Sequence, residues 1–491
     1  MKKFWVALAA TLLLVPMTVN VASAATVTDF GSPDATATKA WGTYKKYQYS
    51  ETDGAQTLFY AEYKATDTSD YEFVVHDVRN SSGNVTLSTV ANIAADYTAD
   101  TGRKVLFATN GDFFDSTGAS IDSLVQDGEV IKTGTYTNKN AFGFDNNGNA
   151  VVGRVTETKD VLQVSLDGKT YRLDIGKTNI APTDGELSLY TTAQNLAIPD
   201  CVKYKVTIEG GSTITTTRPL IGEAKLSTAA DKPLTLSTGQ FAIVVKQGSK
   251  LAEFISKALV FGADVKVIKA PAGEFSGMDY VVGGWDILVE DGKIVPSTHS
   301  TASDPNGGGA NAPRTFIAMK PDGTMFLAVL DGRQSGYSVG CTVAEEGKLA
   351  LALGASVALE LDGGGSSTFL FDSGNGLATL NKPSDGSARR VSNAILLVEK
   401  DKDATYYDLD DYTPSSGNGG NGGSSGDNTD SGDSGNQSSA DSGSGNNGNG
   451  EENGGPVMSF AGCFGSIGGM SVVVSACLLC GLSLIKKQRG E

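Results

Sequence analysis

The sequence predicts an α+β protein in which strands dominate, with mixed sheets in two pseudo-repeated units around a central cleft and a β-rich inserted subdomain. Three observations predict this class. Runs of β-branched residues alternate with Asn-Gly and Asp-Gly pairs, the usual signal of hairpins. Apolar residues recur at helical spacing in only two convincing segments, 250–261 and 342–353, with a further helical candidate near 90–98. One strand–turn–strand stretch also occurs twice.

The larger divisions of the chain follow from these patterns. Residues 25–103 form an N-terminal β-rich segment, and the main domain is expected over 104–400. Within it, residues 178–245 alternate as half-buried strands do, which predicts the inserted subdomain. The second convincing helix is followed by Gly354, as the C-terminus of a helix should be.

The repeated stretch covers residues 124–131 and 288–295. Each copy follows a glycine-containing segment and precedes another hairpin, with turns at 147–148 and 322–323. The alternative is a chance likeness, since a strand, Asp-Gly and a second strand are a common combination. The second copy carries a long insertion, 297–312, and loops of this length inside a compact domain are often functional.

Both ends of the chain predict export and membrane attachment. Residues 1–24 have the basic start, apolar run and cleavage site of a signal peptide, with an uncleaved anchor as the alternative. Residues 458–485 are uncharged and predict a transmembrane helix, and the basic tail 486–491 then stays cytoplasmic. Residues 401–457 predict a disordered Gly-, Asn-, Ser- and Asp-rich stalk. We expect a single-pass protein of the cell membrane with an extracellular ectodomain.

The composition excludes several functions. The formal net charge of −17 argues against a nucleic-acid partner, whose phosphates need a basic face. His76 and His299 are the two histidines, which excludes a histidine-rich metal site and makes any Ser-His-Asp triad depend on one of them. Cys201 and Cys341 could pair in an oxidising compartment, although nothing else indicates a disulfide-stabilised fold.

Polar residues are dense between residues 314 and 367. Two predicted strands there each end in Asp-Gly, one at Asp331-Gly332-Arg333 and the other at 362–367, a carboxylate followed by three glycines and two serines. Consecutive glycines allow close approach of a ligand and leave N–H groups free to bind an anion. A single Asp-Gly would be a turn, but two of them with arginines favour a site.

Several motifs follow one another in a recognisable order. They are Asn110-Gly111-Asp112-Phe113-Phe114, Arg314-Thr315, Asp331-Gly332-Arg333 with Ser335-Gly336, Glu345, Leu361-Asp362-Gly363-Gly364-Gly365-Ser366-Ser367 and Arg390-Val391-Ser392-Asn393-Ala394. The series resembles the phosphodiester glycosidase family, which includes the uncovering enzyme of lysosomal proteins and bacterial members labelled as exopolysaccharide proteins. The resemblance covers about residues 104–399. Asp112 stands where family members usually have glycine, and Tyr337 where they often have a methionine-like residue.

The resemblance implies hydrolysis of the bond between the anomeric carbon of a sugar and a phosphodiester oxygen. It implies Asp362 or Asp331 as nucleophile or base, with Glu345 as a second carboxylate. Arginine forks suit phosphate oxygens, which implies that role for Arg314 and Arg333. Each carboxylate taken alone could instead be a helix cap or turn stabiliser. The remaining substrate-binding residues implied by the motifs are Asn110, Asp112, Ser335, Gly363, Gly364, Gly365 and Ser366.

Two other functions stay open at this stage. A non-catalytic binder of anionic wall or capsule polymer would use the same arginines and glycines. A metal-dependent phosphodiesterase would need carboxylates on calcium or magnesium, which the sequence allows without requiring any cofactor. The expected partners are a glycan or sugar-phosphate substrate and the membrane, and catalysis needs two carboxylates about 5 to 10 Å apart in one cleft.

Overall fold

The computed structural model describes residues 30–414, except 67, 135, 137–138, 193, 209–219, 230–231, 298–308 and 402–404. The predicted signal peptide, membrane anchor, basic tail and most of the predicted stalk therefore lie outside the described residues. So does most of the 297–312 insertion. Within the described ranges, the structure contains no helix that is both long enough and apolar enough to cross a membrane.

Strands dominate the described residues, as the sequence predicts. The helices are α1 (Val90–Thr101), α2 (Lys250–Ala258) and α3 (Val343–Ala352). The strands are β1 (Ala35–Lys39), β2 (Gly42–Glu51), β3 (Gly54–Tyr63), β4 (Tyr71–Asp77), β5 (Val105–Asn110), β6 (Leu124–Gln126), β7 (Glu129–Lys132), β8 (Ala141–Phe144), β9 (Ala150–Gly153), β10 (Thr158–Leu166), β11 (Lys169–Thr178), β12 (Leu187–Tyr190), β13 (Asn195–Leu196), β14 (Cys201–Ile208), β15 (Leu220–Thr228), β16 (Leu234–Thr235), β17 (Gln240–Lys246), β18 (Asp264–Pro271), β19 (Tyr280–Gly283), β20 (Ile287–Glu290), β21 (Lys293–Ile294), β22 (Arg314–Met319), β23 (Met325–Leu330), β24 (Val357–Glu360), β25 (Phe369–Asp372), β26 (Leu377–Thr379), β27 (Asn393–Glu399) and β28 (Tyr406–Tyr407).

Each helix begins after a hydroxyl residue that accepts a backbone hydrogen bond. Thr89, Ser249 and Thr342 cap α1, α2 and α3, and their hydroxyls accept from the N–H three residues ahead. The three predicted helical segments are therefore helices, with ends shifted by a few residues. Cys201 and Cys341 are both buried and unpaired, so the structure has no disulfide between them.

Seven strands close into a barrel. Their order is β10-β18-β15-β14-β17-β12-β11, and pairing of β10 with β11 completes the ring. The predicted subdomain, residues 178–245, supplies part of the wall of this barrel, whose strands run from residue 158 to residue 271. The sequence-based limits were too narrow because β10, β11 and β18 are needed to pair the edge strands.

Aromatic residues tie the C-terminal end of the described chain to the barrel. β28 pairs in parallel with β11, and the ring of Tyr412 packs against Phe254 of α2 at a centroid distance of 5.2 Å. Residues 405–414 were predicted to belong to the stalk. They are instead folded, because Tyr406, Tyr407 and Tyr412 supply apolar surface that the following Gly- and Ser-rich residues lack.

Three antiparallel arrangements outside the barrel share one internal order. They are β7-β6-β19-β8-β9, β21-β20-β24-β22-β23 and β26-β25-β5-β27-β4. In each arrangement the third strand (β19, β24 or β5) is the central one. A hairpin lies on one side of it, and two further paired strands lie on the other side. The chain leaves each central strand and enters the hairpin of another arrangement, so the three are linked in a ring.

The two predicted copies, 124–131 and 288–295, contain the hairpins β6–β7 and β20–β21 and hold equivalent places. The structure adds a third unit, whose hairpin is β25–β26. The sequence comparison missed it because the turn at 373–376 is longer and lacks the shared Asp-Gly. The N-terminal segment 25–103 is part of the same sheets as the main domain, since its strand β3 pairs with β23 and its strand β4 pairs with β27.

One core lies between the three units. It contains Phe107 of β5, Val282 of β19 and Leu359 of β24, together with side chains from the hairpins around them. Phe369 is fully buried at its centre, with its ring centroid 4.9 Å from that of Phe107 and 5.7 Å from that of Phe59. The ends of the three central strands are thus fixed by common packing.

Phe369→Ala should destabilise the fold by about 3–5 kcal/mol, because a buried aromatic side chain is removed from a close-packed core. The measurement is the free energy of unfolding in urea. Phe261→Ala is the matched control, since that ring is 79% exposed, and its effect should stay within about 0.5 kcal/mol. Equal effects of the two changes would contradict the assignment of this core.

Candidate functional site

Three loops meet at one end of the main domain, one after each central strand. The N–H groups of Gly111, Gly284 and Leu361 donate to the carbonyl oxygens of neighbouring strands, at 3.1, 2.8 and 2.9 Å. The acceptors are Asn393, Asn140 and Thr315, in the same order. These bonds are equivalent in the three units, so the loops leave the sheets in the same way.

The loops approach each other too closely for larger residues. A Cβ at Gly283 would lie 2.5 Å from a carboxylate oxygen of Asp112, and one at Gly284 would collide with the carbonyl oxygen of Glu360. Asp362 is brought to the first loop in turn, because its N–H donates to the carbonyl oxygen of Gly111 at 3.1 Å. Glycine at these positions is what lets three loops share one site.

Asp362 is a half-buried carboxylate at the beginning of the glycine-rich loop. Burial raises its pKa to about 6, while the Ser366 hydroxyl and the positive charges of Arg389 and Lys139 act to lower it. Its carbonyl oxygen accepts from the side-chain amide of Asn110 at 2.6 Å. The group is therefore ionised at neutral pH and held in a fixed backbone position.

Two guanidinium groups flank the glycine-rich loop. Gly364 has φ of +62°, and a Cβ there would lie 3.2 Å from Nη1 of the exposed Arg333. Arg389 donates to the Ser366 hydroxyl at 3.4 Å and to Asp385 at 2.9 Å, and a Cβ at Gly365 would collide with both of these charged side chains. Arg390, which the motif singled out, instead donates to the carbonyl oxygen of Leu87.

Asp331 is 1% exposed, and both oxygens of its carboxylate accept hydrogen bonds from other groups of the protein. One oxygen accepts from the Asn381 amide at 3.0 Å, and the other accepts from the Tyr337 hydroxyl at 2.9 Å and the Lys382 N–H at 2.8 Å. Burial raises its pKa. Asp331 therefore holds residues 381–382 in place by hydrogen bonds, and the Tyr337 hydroxyl is another of its hydrogen-bond donors.

Glu345 is placed in a capping box at the beginning of α3. Its carboxylate accepts from the N–H and the hydroxyl of Thr342, each at 2.9 Å. No contact joins it to the Asp362 loop in the part of the chain that the structure describes. The next residue, Glu346, faces inward and is fully buried, and burial together with Glu360 raises its pKa well above the ordinary value.

Arg314 is 6% exposed and bound to protein groups. It forms an ion pair with Glu360 at 3.2 Å and donates to the carbonyl oxygens of Cys341 and Ala310, both at 2.9 Å. The cause is register, since Arg314 begins β22 beside the end of β24, where Glu360 lies. It supports the site from inside, whereas Arg333 is exposed at its surface.

Asp112 and Asn110 are both fully buried next to Asp362. One oxygen of Asp112 accepts from the Ser120 hydroxyl and the Asp122 N–H, and burial raises its pKa to about 7. Its other oxygen has no hydrogen-bond partner among the described residues. Asn110 is a scaffold residue, because its side-chain Nδ2 donates to the backbone carbonyl oxygen of Asp362 and its side-chain Oδ1 accepts from the Thr315 hydroxyl.

Sequence reasoning missed Lys139, which precedes β8 and is 4% exposed. Its ammonium lies 2.8 Å from the ring centroid of Trp285 and 5.1 Å from that of Phe113. Burial lowers its pKa to about 8. No motif surrounds this lysine in the sequence, so only the folded structure could reveal it. Arg389 could have been found from the sequence, because it directly precedes Arg390, the first residue of one of the motifs.

The predicted residues are thus only partly brought together. Asp112, Asp362, Arg333, Ser366 and the glycines meet at the three loops. Ser335 is exposed in the turn after Arg333, and Asp331, Arg314 and Asn110 support the loops from behind. Among the described residues, one cluster could hold a metal ion. It consists of His76, Asp96 and Asp100, whose ligand atoms all lie within 4.8 Å of one another, and it lies beside α1. The described carboxylates of the site form no comparable group.

Comparison with known proteins agrees with the motifs. Residues 205–398, which include the glycine-rich loop, match the family model described as phosphodiester glycosidase, the family that the motifs resemble. The matched segment begins in the barrel and ends with β27, and it does not include residues 110–112. No curated protein matches the chain.

Two solved structures are similar over much of the chain. A hypothetical protein from Synechocystis is 16% identical with a TM-score of 0.44, and the match covers 75% of this chain and 64% of that one. The catalytic domain of zebrafish N-acetylglucosamine-1-phosphodiester alpha-N-acetylglucosaminidase is 14% identical with a TM-score of 0.39. That match covers 73% of this chain and 83% of that one.

Asp331→Ala should destabilise the protein by about 3 kcal/mol or more, because three donors would lose a buried carboxylate. Urea denaturation gives the free energy of unfolding. Asp174→Ala is the control, since it removes a 66% exposed partner of a surface ion pair and should cost about 1 kcal/mol at most. A fully stable Asp331→Ala protein would show that these hydrogen bonds do not anchor the site.

Proposed function

We propose that this protein is an extracytoplasmic hydrolase that cleaves a sugar-1-phosphodiester in cell-surface or extracellular glycans. The observation that carries the proposal is Asp362, an ionised carboxylate in a glycine loop between the guanidinium groups of Arg333 and Arg389. It lies in the segment that matches the phosphodiester glycosidase model. The extracytoplasmic setting rests on the sequence of residues 1–24 and 458–485, outside the described part of the chain.

The proposed reaction breaks the bond between the anomeric carbon and the bridging oxygen of the phosphodiester. Water supplies hydroxide to the carbon and a proton to the solution, and the bridging oxygen leaves with the phosphate. The transition state carries positive charge on the sugar, which a carboxylate such as Asp362 stabilises. Arg333 and Arg389 would bind the phosphate oxygens by paired hydrogen bonds, and glycine N–H groups would add donors.

Asp112 is the best-placed second carboxylate. Its pKa of about 7 is raised first by burial, and the negative charges of Asp122 and Asp362 add to the shift. Two carboxyl groups that resist being ionised together can divide the roles of acid and base. Asp362, with the lower pKa, is the base or nucleophile, and the protonated Asp112 supplies or stores the proton.

Asp362→Asn should lower kcat on a sugar-1-phosphodiester by on the order of 100-fold or more, since a catalytic carboxylate is lost without a change of shape. The assay is hydrolysis in ¹⁸O-labelled water. We expect the label in the released sugar, because the C–O bond breaks.

Asp174→Asn, far out on the barrel surface, is the matched control and should keep full activity. Label found in the phosphate would instead indicate a phosphodiesterase that cleaves the P–O bond. Tight binding of an anionic glycan without any turnover would indicate a polymer-binding module.

The pH profile of kcat/KM should be bell-shaped with its optimum between about 6 and 7. The rate rises with pH as Asp362 ionises near 6, and it falls as Asp112 loses its proton near 7. Asp112→Asn should remove the basic limb and keep the acidic one. A basic limb that is unchanged in this variant would exclude Asp112 as the acid.

A further inference from the structure

Lys139 is a buried cation that the proposed reaction does not yet use. It is 4% exposed, and its Nζ has no hydrogen-bond partner among the described residues. The ammonium lies over the ring of Trp285, and the ring centroids of Phe113 and Tyr136 are 5.1 and 6.0 Å away from it. Aromatic faces attract a cation, but they do not neutralise its charge.

Four buried carboxylates at the ends of the three central strands lie close enough to this ammonium to act on it electrostatically. Asp112 and Asp122 follow β5, Asp286 follows β19, and Glu360 ends β24. Each of the four acts electrostatically on Lys139. All four side chains are at most 2% exposed. Burying so many negative charges together is costly unless a positive charge lies among them.

Lys139 also acts on Asp362, where its positive charge favours the ionised form. Its backbone is held at the second of the three loops. The next residue, Asn140, accepts the N–H of Gly284 and donates to the carbonyl oxygen of Trp285, so the backbone that carries Lys139 is fastened to the second loop.

We propose that Lys139 is a positioning residue of the site, the internal counter-cation that favours the ionised form of Asp362 and holds the buried carboxylates around it in place. The catalytic role of Lys139 rests on the proposed function, whereas its electrostatic effect on Asp362 does not. Burial lowers the pKa of Lys139 to about 8, and the four carboxylates oppose that shift, so the group is charged at neutral pH. Above about pH 8 the counter-charge is lost.

Other charged groups also contribute to the pH behaviour of the site. Arg389 acts on Asp362 directly, and Arg314 neutralises Glu360. Burial and the negative charge of Glu360 raise the pKa of Glu346 well above its ordinary value. Of the cations named here, Lys139 is the one that acts on both Asp112 and Asp362 and forms no ion pair within the described residues.

The test measures the protonation of Asp362 without using activity. Carbodiimides react with protonated carboxyl groups, and Asp362 is half-buried rather than enclosed. Labelling of the Asp362 peptide in the full-length protein is followed by mass spectrometry from pH 4 to 8. Lys139→Met should move the midpoint to higher pH by about one unit, since a nearby positive charge is lost. Lys139→Arg should return it towards the wild-type value.

Lys132→Met is the matched control. That lysine lies near the same loops, but its ammonium binds the carbonyl oxygen of Ser120, and the midpoint should not move. An unchanged midpoint in Lys139→Met would overturn the proposal. If Lys139→Met does not fold, Asp112→Asn added to it should restore folding by removing one uncompensated carboxylate. Failure of that double variant to fold would also overturn the proposal.

The same variants separate this inference from the proposed function. If sugar-1-phosphodiesters are hydrolysed, the acidic limb of kcat/KM should move up with the labelling midpoint in Lys139→Met. If no such substrate is hydrolysed by the wild-type protein, the proposed function fails. The labelling midpoint still decides whether Lys139 is the counter-cation.

Discussion

The meeting of three strand ends is the constraint on which the site depends. Three equivalent backbone hydrogen bonds, from Gly111, Gly284 and Leu361, fix how the loops leave the sheets. A common core holds the strands behind them, so the loop ends cannot shift independently. Residues far apart in the sequence, such as Asp112 and Asp362, are then neighbours because of the ring of sheets and not because of local sequence.

The same geometry concentrates negative charge. Each loop or strand end contributes at least one buried carboxylate, and a buried negative charge needs a cation nearby to balance it. Arg314 does this for Glu360 by a direct ion pair, whereas Lys139 does it at a distance for several groups. The two arginines nearest the glycine loop, Arg333 and Arg389, lie at the more exposed side. The internal cations therefore stabilise the buried carboxylates, whereas Arg333 and Arg389 lie beside the glycine-rich loop, where Arg389 also pairs with Asp385.

Much of the fold could be predicted from the sequence, and part of the site could not. Hairpin turns and helix caps are local signals, so the strands, the helices and two of the three units were predictable. The third hairpin has a longer turn and was missed. Asp331 and Glu345 looked alike in sequence, as acidic residues beside glycine or at a helix start. Only the partners found in the fold show that both are held by structural hydrogen bonds. Lys139 had no local signal at all.

The barrel occupies the place that a single helix occupies in the other two units. α1 joins β4 to β5 and α3 joins β23 to β24, whereas the barrel lies between β9 and β19. The chain enters and leaves it side by side, since Thr158 and Pro271 are paired residues of β10 and β18. A segment with adjacent ends adds little loop-closure cost to the ring that receives it. The barrel is thus an insertion with adjacent ends, which takes the place of a connecting helix while the three loops keep their common arrangement.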